Sequence, residues 1–412
     1  MKKFFLNRRI SIRILVPFFL YFVPILLSAQ DWIMVKAFQP SQTLHCIRFA
    51  NQDVGYTVST LYNGSTYNIH KTTDGGATWM DQSSGFTATR FKDIHIFSED
   101  TVMMCGNYGL VISTFDGGET WLADTVAPNG DHLFGISFVG HTGYVCGNSG
   151  AIFKTTNMGE TWTQINPPLI SAIEEIYFLA EDFGFICGLN FIYYTEDGGG
   201  NWVEPESFPG ATTNWWLREF SFVSNSTGFV CGDIGQLYKT LDGGKNWIYL
   251  DNTPTTESLQ SMKALDENRI YACGFGGTVI RSSDGGVHWE QMTAGSAQHF
   301  RSMDFTPEGT GFICTQIGEV LKYSDPWLGI DDNQPEDEIV IYPNPVADYV
   351  YFSFCDESQF SSEVSLYNLS GVLVGTYRLD KALDVSFLTD GIYFLHFISS
   401  DGPNKIRLLV KK

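Results

Sequence analysis

The chain has 412 residues, and its 46 acidic side chains outnumber its 25 basic ones, giving a formal net charge of −21. This acidity argues against nucleic acid and anionic membrane surfaces as partners, because binding phosphate groups requires clustered Lys and Arg side chains. Cations, neutral glycans and basic proteins remain as partner classes, and the length allows about two to three domains.

Residues 1–29 have the pattern of a signal peptide. A basic start precedes an apolar run over residues 14–27, and the small residues Ser28 and Ala29 follow. The run is shorter than the roughly 20 residues that a membrane-spanning helix requires. We therefore predict cleavage after Ala29 and export of a mature chain without a transmembrane segment. Gln30, and not Cys, follows the cleavage point, which argues against a lipid anchor.

A short phrase recurs seven times along the chain. It reads KTTDGGATW over residues 71–79 and KTLDGGKNW over residues 239–247. A shortened, degenerate copy, KYSDPW, covers residues 322–327. Its acidic position, once Asn, is occupied by Asp74, Asp116, Asn157, Asp197, Asp242, Asp284 and Asp325. The spacings are 42, 41, 40, 45, 42 and 41 residues. A period of about 40–45 residues is typical of β-propeller blades.

Each repeat contains the pattern of four short strands. An alternating run ending in an aromatic residue, such as ISF over residues 136–138, precedes two apolar runs separated by a turn, as in residues 143–155. The Asp-Gly-Gly of each phrase fits a tight hairpin, since glycine adopts positive φ and Asp caps the turn. The Trp that follows is expected to pack between neighbouring blades. These acids are interpreted as architectural, because a catalytic group would not recur in every blade.

The first mature residues predict how the ring of blades closes. Residues 31–35, DWIMV, resemble the segment that follows an Asp-Gly-Gly turn, whereas the seventh copy stops at Trp327, where its outer strand should begin. The prediction is an all-β fold with a seven-bladed β-propeller over residues 30–328, closed by the N-terminal strand. An acidic linker (residues 329–338) and a small C-terminal β-sandwich (residues 339–412) complete the chain.

The cysteines follow the same period. Equivalent strands of packed sheets lie about 10 Å apart, which is too far for a disulfide, so buried free thiols are expected. They are Cys105, Cys146, Cys187, Cys231, Cys273 and Cys314, and Cys46 and Cys355 are expected to be free as well.

The recurring phrase resembles the Asp-box, or bacterial neuraminidase repeat. Sialidases, xyloglucan-cleaving hydrolases, sortilin-type receptors and photosystem II assembly factors share it. A single ring of seven with G-F-x-C-G before each box is most similar to the photosystem II assembly and stability factors. That resemblance implies a non-enzymatic scaffold that binds other proteins.

Residues 339–412 resemble the C-terminal sorting domain of type IX secretion in Bacteroidetes-type bacteria. The matching segments are IYPNP (341–345), VSLYNLSGVLV (364–374), LTDGIYFLHF (388–397) and KIRLLVKK (405–412). The resemblance implies the type IX machinery and its sortase as partners. It also implies removal of this domain and either release of the protein or its attachment to surface lipopolysaccharide. The acidic linker is the expected cleavage zone.

No catalytic constellation stands out, and we predict no catalytic residue, cofactor or metal. A sialidase needs an arginine cluster, a Tyr-Glu pair and an acid, and the Arg-Ile-Pro phrase that opens that family is missing. A glycosidase needs two carboxylates at a set separation, and Glu174, Glu175 and Glu219 are candidates whose separation the sequence does not give. The histidines are scattered, and no metal-binding motif or nucleophile elbow occurs.

One ring of residues suggests a ligand site. The position four residues before the aromatic at the end of each first strand reads His45, Lys92, Phe134, Glu174, Arg218, Gln260 and Arg301. If the first strands line the axis, these side chains cluster at one mouth of the channel; alternatively, they are solvent-facing strand starts. Trp215 and Trp216, in the longest inter-blade loop, are expected beside this mouth as anchors for a glycan or protein, although one of them could belong to the core.

The function predicted from the sequence is an exported, cell-surface or secreted, non-enzymatic binding and assembly scaffold. The alternatives are a glycoside hydrolase (sialidase-like or xyloglucanase-like), a lectin-like glycan binder, and an adhesive surface component. Whether the ligand is a protein or a glycan stays open, since propeller specificity depends on loops.

Overall fold

The computed structural model describes residues 31–38, 42–61, 67–82, 90–209, 215–324, 340–342, 349–353, 360–368, 373–378, 382–389, 391–399 and 402–410. The predicted signal peptide, the linker, Asp325 and Cys355 lie outside these ranges. Within them there is no α-helix, and hence none that could cross a membrane.

Residues 31–324 contribute short strands connected by tight turns. The first thirteen are β1 (Ile33–Ala37), β2 (Gln42–Phe49), β3 (Gly55–Leu61), β4 (Tyr67–Thr72), β5 (Met80–Gln82), β6 (Phe91–Ile96), β7 (Val102–Gly106), β8 (Leu110–Thr114), β9 (Leu122–Thr125), β10 (Leu133–Val139), β11 (Thr142–Gly147), β12 (Ile152–Thr155) and β13 (Thr163–Gln164). The next fourteen are β14 (Ile173–Phe178), β15 (Gly184–Gly188), β16 (Phe191–Thr195), β17 (Leu217–Phe222), β18 (Gly228–Gly232), β19 (Leu237–Thr240), β20 (Ile248–Tyr249), β21 (Leu259–Ala264), β22 (Ile270–Gly274), β23 (Val279–Ser282), β24 (Glu290–Gln291), β25 (Phe300–Phe305), β26 (Thr310–Thr315) and β27 (Glu319–Ser324). Single 3-10 turns cover Asn107–Gly109, Asn148–Gly150, Asp233–Gly235 and Phe275–Gly277.

The strands form antiparallel sheets of neighbours in sequence. Within residues 31–324 the sheets are β2–β5, β6–β9, β10–β13, β14–β16, β17–β20 and β21–β24, and a further sheet has the order β1-β27-β26-β25. In that last sheet Ile33 of β1 lies opposite Lys322, and Ala37 lies opposite Glu319. The N-terminal strand is thus the outer strand of a sheet whose other members come from the end of this region.

The first strands of successive sheets pack side by side. In order, β2, β6, β10, β14, β17, β21 and β25 each contact the next, and β25 also contacts β2. Aromatic residues fill the spaces between the sheets: the Phe49 ring stacks on Phe312 at 3.8 Å, and Tyr144 stacks on Phe178 at 3.6 Å. The prediction of an all-β, propeller-type fold is therefore confirmed.

The sheet β14–β16 departs from the four-strand pattern. Its outer strand is reduced to a single bridge, in which Tyr194 and Val203 exchange backbone hydrogen bonds of 2.9 and 2.8 Å. Pro205 follows closely, and proline has no N–H to donate to a growing strand. This stretch begins the longest inter-blade loop, as the box spacing of 45 residues indicates.

The Asp-Gly-Gly turns share one hydrogen-bond pattern. In the first, the backbone N–H of Thr78 and the hydroxyl of Thr72 both donate to Asp74 Oδ1 at 2.8 Å, and Gly76 N–H donates to Thr72 Oγ1 at 2.9 Å. Gly75 and Gly76 have φ of 65° and 84°, which a side chain would strain. The same contacts recur at Asp116, Asn157, Asp197, Asp242 and Asp284. Each of these side chains is occupied within its own turn.

Lysines link these turns from one sheet to the next. Lys154 Nζ lies 5.1 Å from the ring centre of Tyr144 and donates to the carbonyl of Gly198 in the following turn at 3.0 Å. Lys71, Lys239 and Lys322 make the same pair of contacts with their neighbours. Lys322 in β27 reaches the Gly75 carbonyl at 3.3 Å, so this contact joins the last sheet of the region to the first turn.

The seven described cysteines are free and buried, and six of them occupy the second strands of their sheets, as predicted. Burial raises the pKa of each thiol, so they behave as small apolar side chains.

The C-terminal region is also built of antiparallel strands. They are β28 (Val340–Tyr342), β29 (Tyr349–Ser353), β30 (Phe360–Asn368), β31 (Leu373–Arg378), β32 (Ala382–Asp384), β33 (Gly391–Ser399) and β34 (Gly402–Val410). Two sheets result, with the orders β28-β29-β32 and β31-β30-β33-β34.

Candidate functional site

A cavity of about 190 Å³ lies where the first strands meet, and side chains from all seven of these strands line it. Every position of the predicted ring is among them: His45, Lys92, Phe134, Glu174, Arg218, Gln260 and Arg301. We call this place the channel mouth. The structure therefore brings together residues that are spread over more than 250 positions of the sequence.

A β-bulge aims each of these side chains. In all seven sheets the register between the first and second strands shifts at this position, for example between Phe91 and Asp93, which leaves Lys92 without a partner residue. A bulge of this kind re-aims a side chain and lets two consecutive residues face the same way. The ring predicted from the sequence thus coincides with a repeated backbone feature.

One side of the channel mouth is cationic. Lys92 lies over the Phe134 ring at 5.5 Å, and Arg301 lies over the Phe275 ring at 5.4 Å and donates to Gln316 at 3.3 Å. Neither cation has a carboxylate within 4 Å among the described residues, and Arg301 Nε is buried without a hydrogen-bond partner. Burial and nearby Arg90 lower the pKa of Lys92 to about 8.

His45 lies among these cations. Its Nδ1 is 3.0 Å from Arg90 Nη2, and its Nε2 is 2.8 Å from Thr60 Oγ1. Burial, together with Arg90, Lys92 and Arg301, lowers the pKa of His45 well below its usual value, so the ring is neutral at neutral pH. An anion entering here would meet two arginines and a lysine around an uncharged imidazole.

The opposite side of the mouth is neutralised internally. Arg218 pairs with Glu174 at 2.9 Å and with Asp233 at 3.1 Å. Its guanidinium lies over the Trp216 ring at 5.6 Å, and the backbone N–H of Trp216 donates to Asp233 Oδ2 at 3.2 Å. Arg218 therefore links side chains of the wall by ion pairs, whereas the charges of Lys92 and Arg301 are available to a ligand.

The two predicted tryptophans lie beside this wall, and both are partly exposed. The backbone N–H of Trp215 donates to the side chain of Asn190 at 3.0 Å, and Trp216 forms an isolated bridge with Leu189. Neither is a core residue. Residues 210–214, which lead into this pair, lie outside the described ranges.

A second tier of residues lies one position further along each first strand, and most of its members were not predicted to face the axis. Its members are Cys46, Asp93, Gly135, Glu175, Glu219, Ser261 and Ser302. Alternation places neighbouring residues on opposite faces, so only the bulge explains why both face the axis. Aligning the strands one position further would have revealed its three acids.

Side chains of the second tier connect neighbouring first strands by ion pairs and hydrogen bonds. Arg48 pairs with Glu219 at 2.8 Å and with Asp93 at 3.4 Å. Asp93 also accepts the backbone N–H of Ile136 at 3.1 Å, and Glu219 accepts that of Met262 at 3.1 Å. Two of the three acids are thus engaged by the adjacent strand and by one arginine.

Glu175 is the third acid of this tier. Burial, together with Asp93 and Glu219, raises its pKa well above the usual value.

The tips of the turns between second and third strands surround the channel mouth. β18 ends at Gly232, opposite the start of β17, so the turn Asp233–Gly235 lies at this end. Ile234 at its tip has φ of 52° and is 40% exposed. A β-branched residue in this conformation is strained, and such strain clusters at binding sites. Tyr108 and Ile317 are further exposed apolar tips.

The Asp-Gly-Gly turns lie at the other end of the sheets, because each follows a third strand that runs away from the mouth. No cluster of three or more His, Cys, Asp or Glu side chains suited to a metal occurs in the described part of the chain.

Comparison with known proteins shows that two regions of the chain match two different families. The family model of the photosynthesis system II assembly factor YCF48 matches residues 86–169 and 251–324. The chain resembles the YCF48 assembly factors. The family model of the secretion system C-terminal sorting domain matches residues 340–412, which indicates secretion or delivery to the cell surface.

Two photosystem II assembly lipoproteins Ycf48 show the same likeness. The relative from a Synechococcus species is 25% identical over 334 residues, covering 69% of this chain and 84% of its own. The relative from a Picosynechococcus species is 26% identical over 117 residues, or 28% of this chain and 33% of its own.

Solved structures extend the likeness in fold. YCF48 bound to a D1 peptide superposes with a TM-score of 0.58 at 20% identity, covering 73% of this chain and 98% of that one. The GH74 xyloglucanase from Xanthomonas campestris superposes with a TM-score of 0.57 at 13% identity, covering 90% of this chain and 60% of the enzyme. At these identities the likeness concerns the fold alone.

Proposed function

We propose that the chain is an exported, non-enzymatic binding scaffold that holds an acidic segment of another protein at its channel mouth. The observation that carries the proposal is the convergence of seven bulged side chains from seven sheets on one cavity with a cationic side. A cavity of about 190 Å³ fits one inserted side chain or chain end, since sites for whole drug-sized ligands measure about 300–1,000 Å³.

The scaffold in this proposal is a closed ring of seven blades. Support comes from the pairing of β1 with β27, from the contact between β25 and β2, and from the bond between Lys322 and Gly75. A closed ring has no unpaired seam, and it holds all seven bulges at fixed positions around the axis. The boxed acids, Asp325 included, have an architectural role in it.

The proposed export route is the one that the sequence predicts. Residues 1–29 act as a signal peptide, and the C-terminal domain directs the chain through type IX secretion in a Bacteroidetes-type cell. The sortase cuts in the linker over residues 329–338, and the ring is then released or attached to lipopolysaccharide.

A protein ligand is favoured over a glycan at this mouth. A structurally similar protein, YCF48, was solved with a peptide bound. The cations Lys92 and Arg301 suit carboxylates, and the exposed tips Tyr108 and Ile234 suit apolar side chains. Buried cations act over short range on a ligand in a narrow cavity, so the negative net charge of the whole chain does not prevent binding.

A glycoside hydrolase remains the alternative because the xyloglucanase shares the fold. It would need two available carboxylates across a cleft that admits a sugar chain. Here Glu174 is paired with Arg218, and Glu219 is paired with Arg48. The narrow cavity and these ion pairs favour the scaffold.

The test is binding of the purified propeller region to an array of 12-residue peptides that vary in Asp and Glu content. We expect retention of acidic peptides carrying apolar residues, and at least about tenfold weaker binding by Lys92→Glu/Arg301→Glu. The matched control is Lys245→Glu, which reverses an exposed charge in an Asp-Gly-Gly turn at the other end.

Equal affinity of the double variant and the control would contradict the proposal. Release of reducing sugar from xyloglucan or sialyl oligosaccharides by the wild type would favour the hydrolase.

A further inference from the structure

A second cavity, of about 480 Å³, lies between β1 and the sheet β2–β5, and it shares no lining residue with the channel mouth. Its lining consists of Lys36, Ala37, Phe38, Gln42, His70, Trp79 and Asp81. We call it the blade-1 pocket. Its size falls in the range of small-ligand sites, about 300–1,000 Å³.

A polar chain crosses three strands behind this pocket. His70 Nδ1 lies 2.5 Å from Asp81 Oδ1, and His70 Nε2 lies 3.0 Å from Ser59 Oγ. Burial lowers the pKa of His70 even though Asp81 opposes that effect, so the ring is neutral near neutral pH. Because a carboxylate only accepts, Nδ1 carries the proton and donates to Asp81, while Nε2 accepts from the Ser59 hydroxyl.

This chain positions groups and does not attack a substrate. Ser59 is 3% exposed and is absent from the pocket lining, so its hydroxyl does not face a ligand. The chain instead fixes the orientation of the His70 ring and of Asp81, which is 72% exposed at its side chain. The Phe38 ring packs on His70 at 4.4 Å and completes the wall.

The other six sheets show that this chemistry is not part of the repeat. At the position of His70 they carry aliphatic or aromatic residues: Ile112, Phe153, Tyr193, Tyr238, Ile280 and Leu321. At the position of Ser59 they carry Gly106, Gly147, Gly188, Gly232, Gly274 and Thr315. The fold therefore does not require a Ser–His–Asp chain, and the first sheet departs from the repeat at both positions.

The lining of the pocket includes a residue with an unpartnered acceptor. Gln42 is 6% exposed, and its Oε1 is buried without a hydrogen-bond partner. Buried polar atoms are nearly always hydrogen-bonded, so we expect this oxygen to accept a hydrogen bond from a bound molecule. Asp81 offers a second acceptor and Lys36 a donor, while Phe38 and Trp79 contribute apolar edges.

We propose that the blade-1 pocket binds one sugar residue of a neutral glycan. Adjacent hydroxyls donate to Gln42 and Asp81 and accept from Lys36, and the C–H face of the ring contacts Phe38 and Trp79. Lys36 and Asp81 offset each other's charge, so an uncharged ligand fits better than an anion or an amine. This site is independent of the acidic-peptide site at the channel mouth.

The test is binding of the full mature chain to an array of neutral oligosaccharides (gluco-, xylo-, manno- and chito-oligomers), with affinities of the hits measured by calorimetry. Gln42→Ala/Asp81→Ala removes both acceptors and should weaken binding at least about tenfold. Ser59→Gly/His70→Ile inserts the residues that other sheets carry at these positions, so it should fold and show a similar loss. Lys92→Glu/Arg301→Glu at the mouth should bind the sugar unchanged.

Failure of the wild type to bind any neutral oligosaccharide at millimolar concentration overturns the proposal. So does undiminished binding by both pocket variants, each checked for native thermal unfolding. Loss of sugar binding only in Lys92→Glu/Arg301→Glu also overturns the proposal. The acidic-peptide site is tested separately, by the peptide array.

Discussion

The two ends of the same sheets differ in how closely they follow the repeat. At the Asp-Gly-Gly end, the described turns repeat one set of hydrogen bonds, and lysines link four of them to their neighbours. At the mouth end the backbone bulge repeats, but the side chain at the bulge position differs between sheets: three successive sheets carry Lys92, Phe134 and Glu174. The periodic residues build the sheets and the contacts between them, and the residues that break the period give each sheet its own surface.

The largest expected effect tests the outer strand that the N-terminus supplies. Trp32 is fully buried and stacks on Tyr323 at 5.0 Å, so Trp32→Ala should lower the free energy of unfolding by about 3–5 kcal/mol. Chemical denaturation of the mature protein measures this. The neighbouring Ile33 is 59% exposed, and Ile33→Ala should change stability by less than about 0.5 kcal/mol. Similar values for the two variants would mean that β1 does not pack as described.

The next effect concerns a single turn. Asp242→Ala removes the acceptor for Asn246 N–H and the Thr240 hydroxyl, and should cost about 1–2 kcal/mol without altering peptide binding. Asp242→Asn should be milder, because Asn157 already serves in the third turn. Equal losses for the two variants would show that the negative charge, and not hydrogen bonding, stabilises the turn.

Acid should weaken these turns together. Hydrogen bonds from Thr120 lower the pKa of Asp116 to about 2, and the pKa values of Asp74, Asp197, Asp242 and Asp284 are also lowered. Carboxyls with a lower pKa in the folded state stabilise it above their unfolded pKa, and this contribution is lost as pH falls through the folded pKa. Unfolding midpoints should therefore fall between about pH 4 and pH 2. A midpoint that stays constant over this range would contradict the hydrogen-bond pattern.

A smaller effect is expected when the contact between the last and first sheets is compared with the contact between two sheets that are consecutive in sequence. Lys322→Met and Lys154→Met each remove one bond to a glycine carbonyl and one cation–π contact, so each should cost about 0.5–1 kcal/mol. Matched values by denaturation would indicate that the junction between the last and first sheets is equivalent to the others. A negligible effect of Lys322→Met alone would indicate an open junction.

The smallest effect is the pH dependence of peptide binding. With its pKa lowered to about 8, Lys92 loses its charge between pH 7 and 9, so affinity for an acidic peptide should fall about two- to fivefold over that range. Lys92→Arg, which stays charged, should bind equally at both pH values. Titration by fluorescence anisotropy measures this, and an unchanged wild-type affinity would remove Lys92 from the site.

Much of this organisation could be predicted from the sequence because it is periodic. The spacing of the Asp-Gly-Gly turns predicted the sheets, and alignment of the first strands predicted His45, Lys92 and Arg301 at one mouth. The bulge behind that ring has no sequence signature of its own, so the inward direction of Asp93 and Glu219 was missed. The engagement of Arg218 by Asp233 of its own sheet and by Glu174 of the neighbouring sheet depends on the tertiary structure, so the sequence could not predict it.

The blade-1 pocket shows what a departure from the period can reveal. At the position of His70 the other sheets carry aliphatic or aromatic residues, and at the position of Ser59 five of the six carry glycine, so comparing the repeats position by position would have identified both residues. Their contact with Asp81 required the register of three strands.

The most direct test of the central claim, that ligand binding occurs at the mouth and not at the turn end, is site-specific photocrosslinking. A photoreactive amino acid replaces Ile234 at the mouth or Leu241 beside an Asp-Gly-Gly turn, both exposed positions. The tightest acidic peptide from the array serves as the probe. We predict crosslinking from position 234 and none above background from position 241. Crosslinking from position 241 that equals or exceeds that from position 234 would contradict the account.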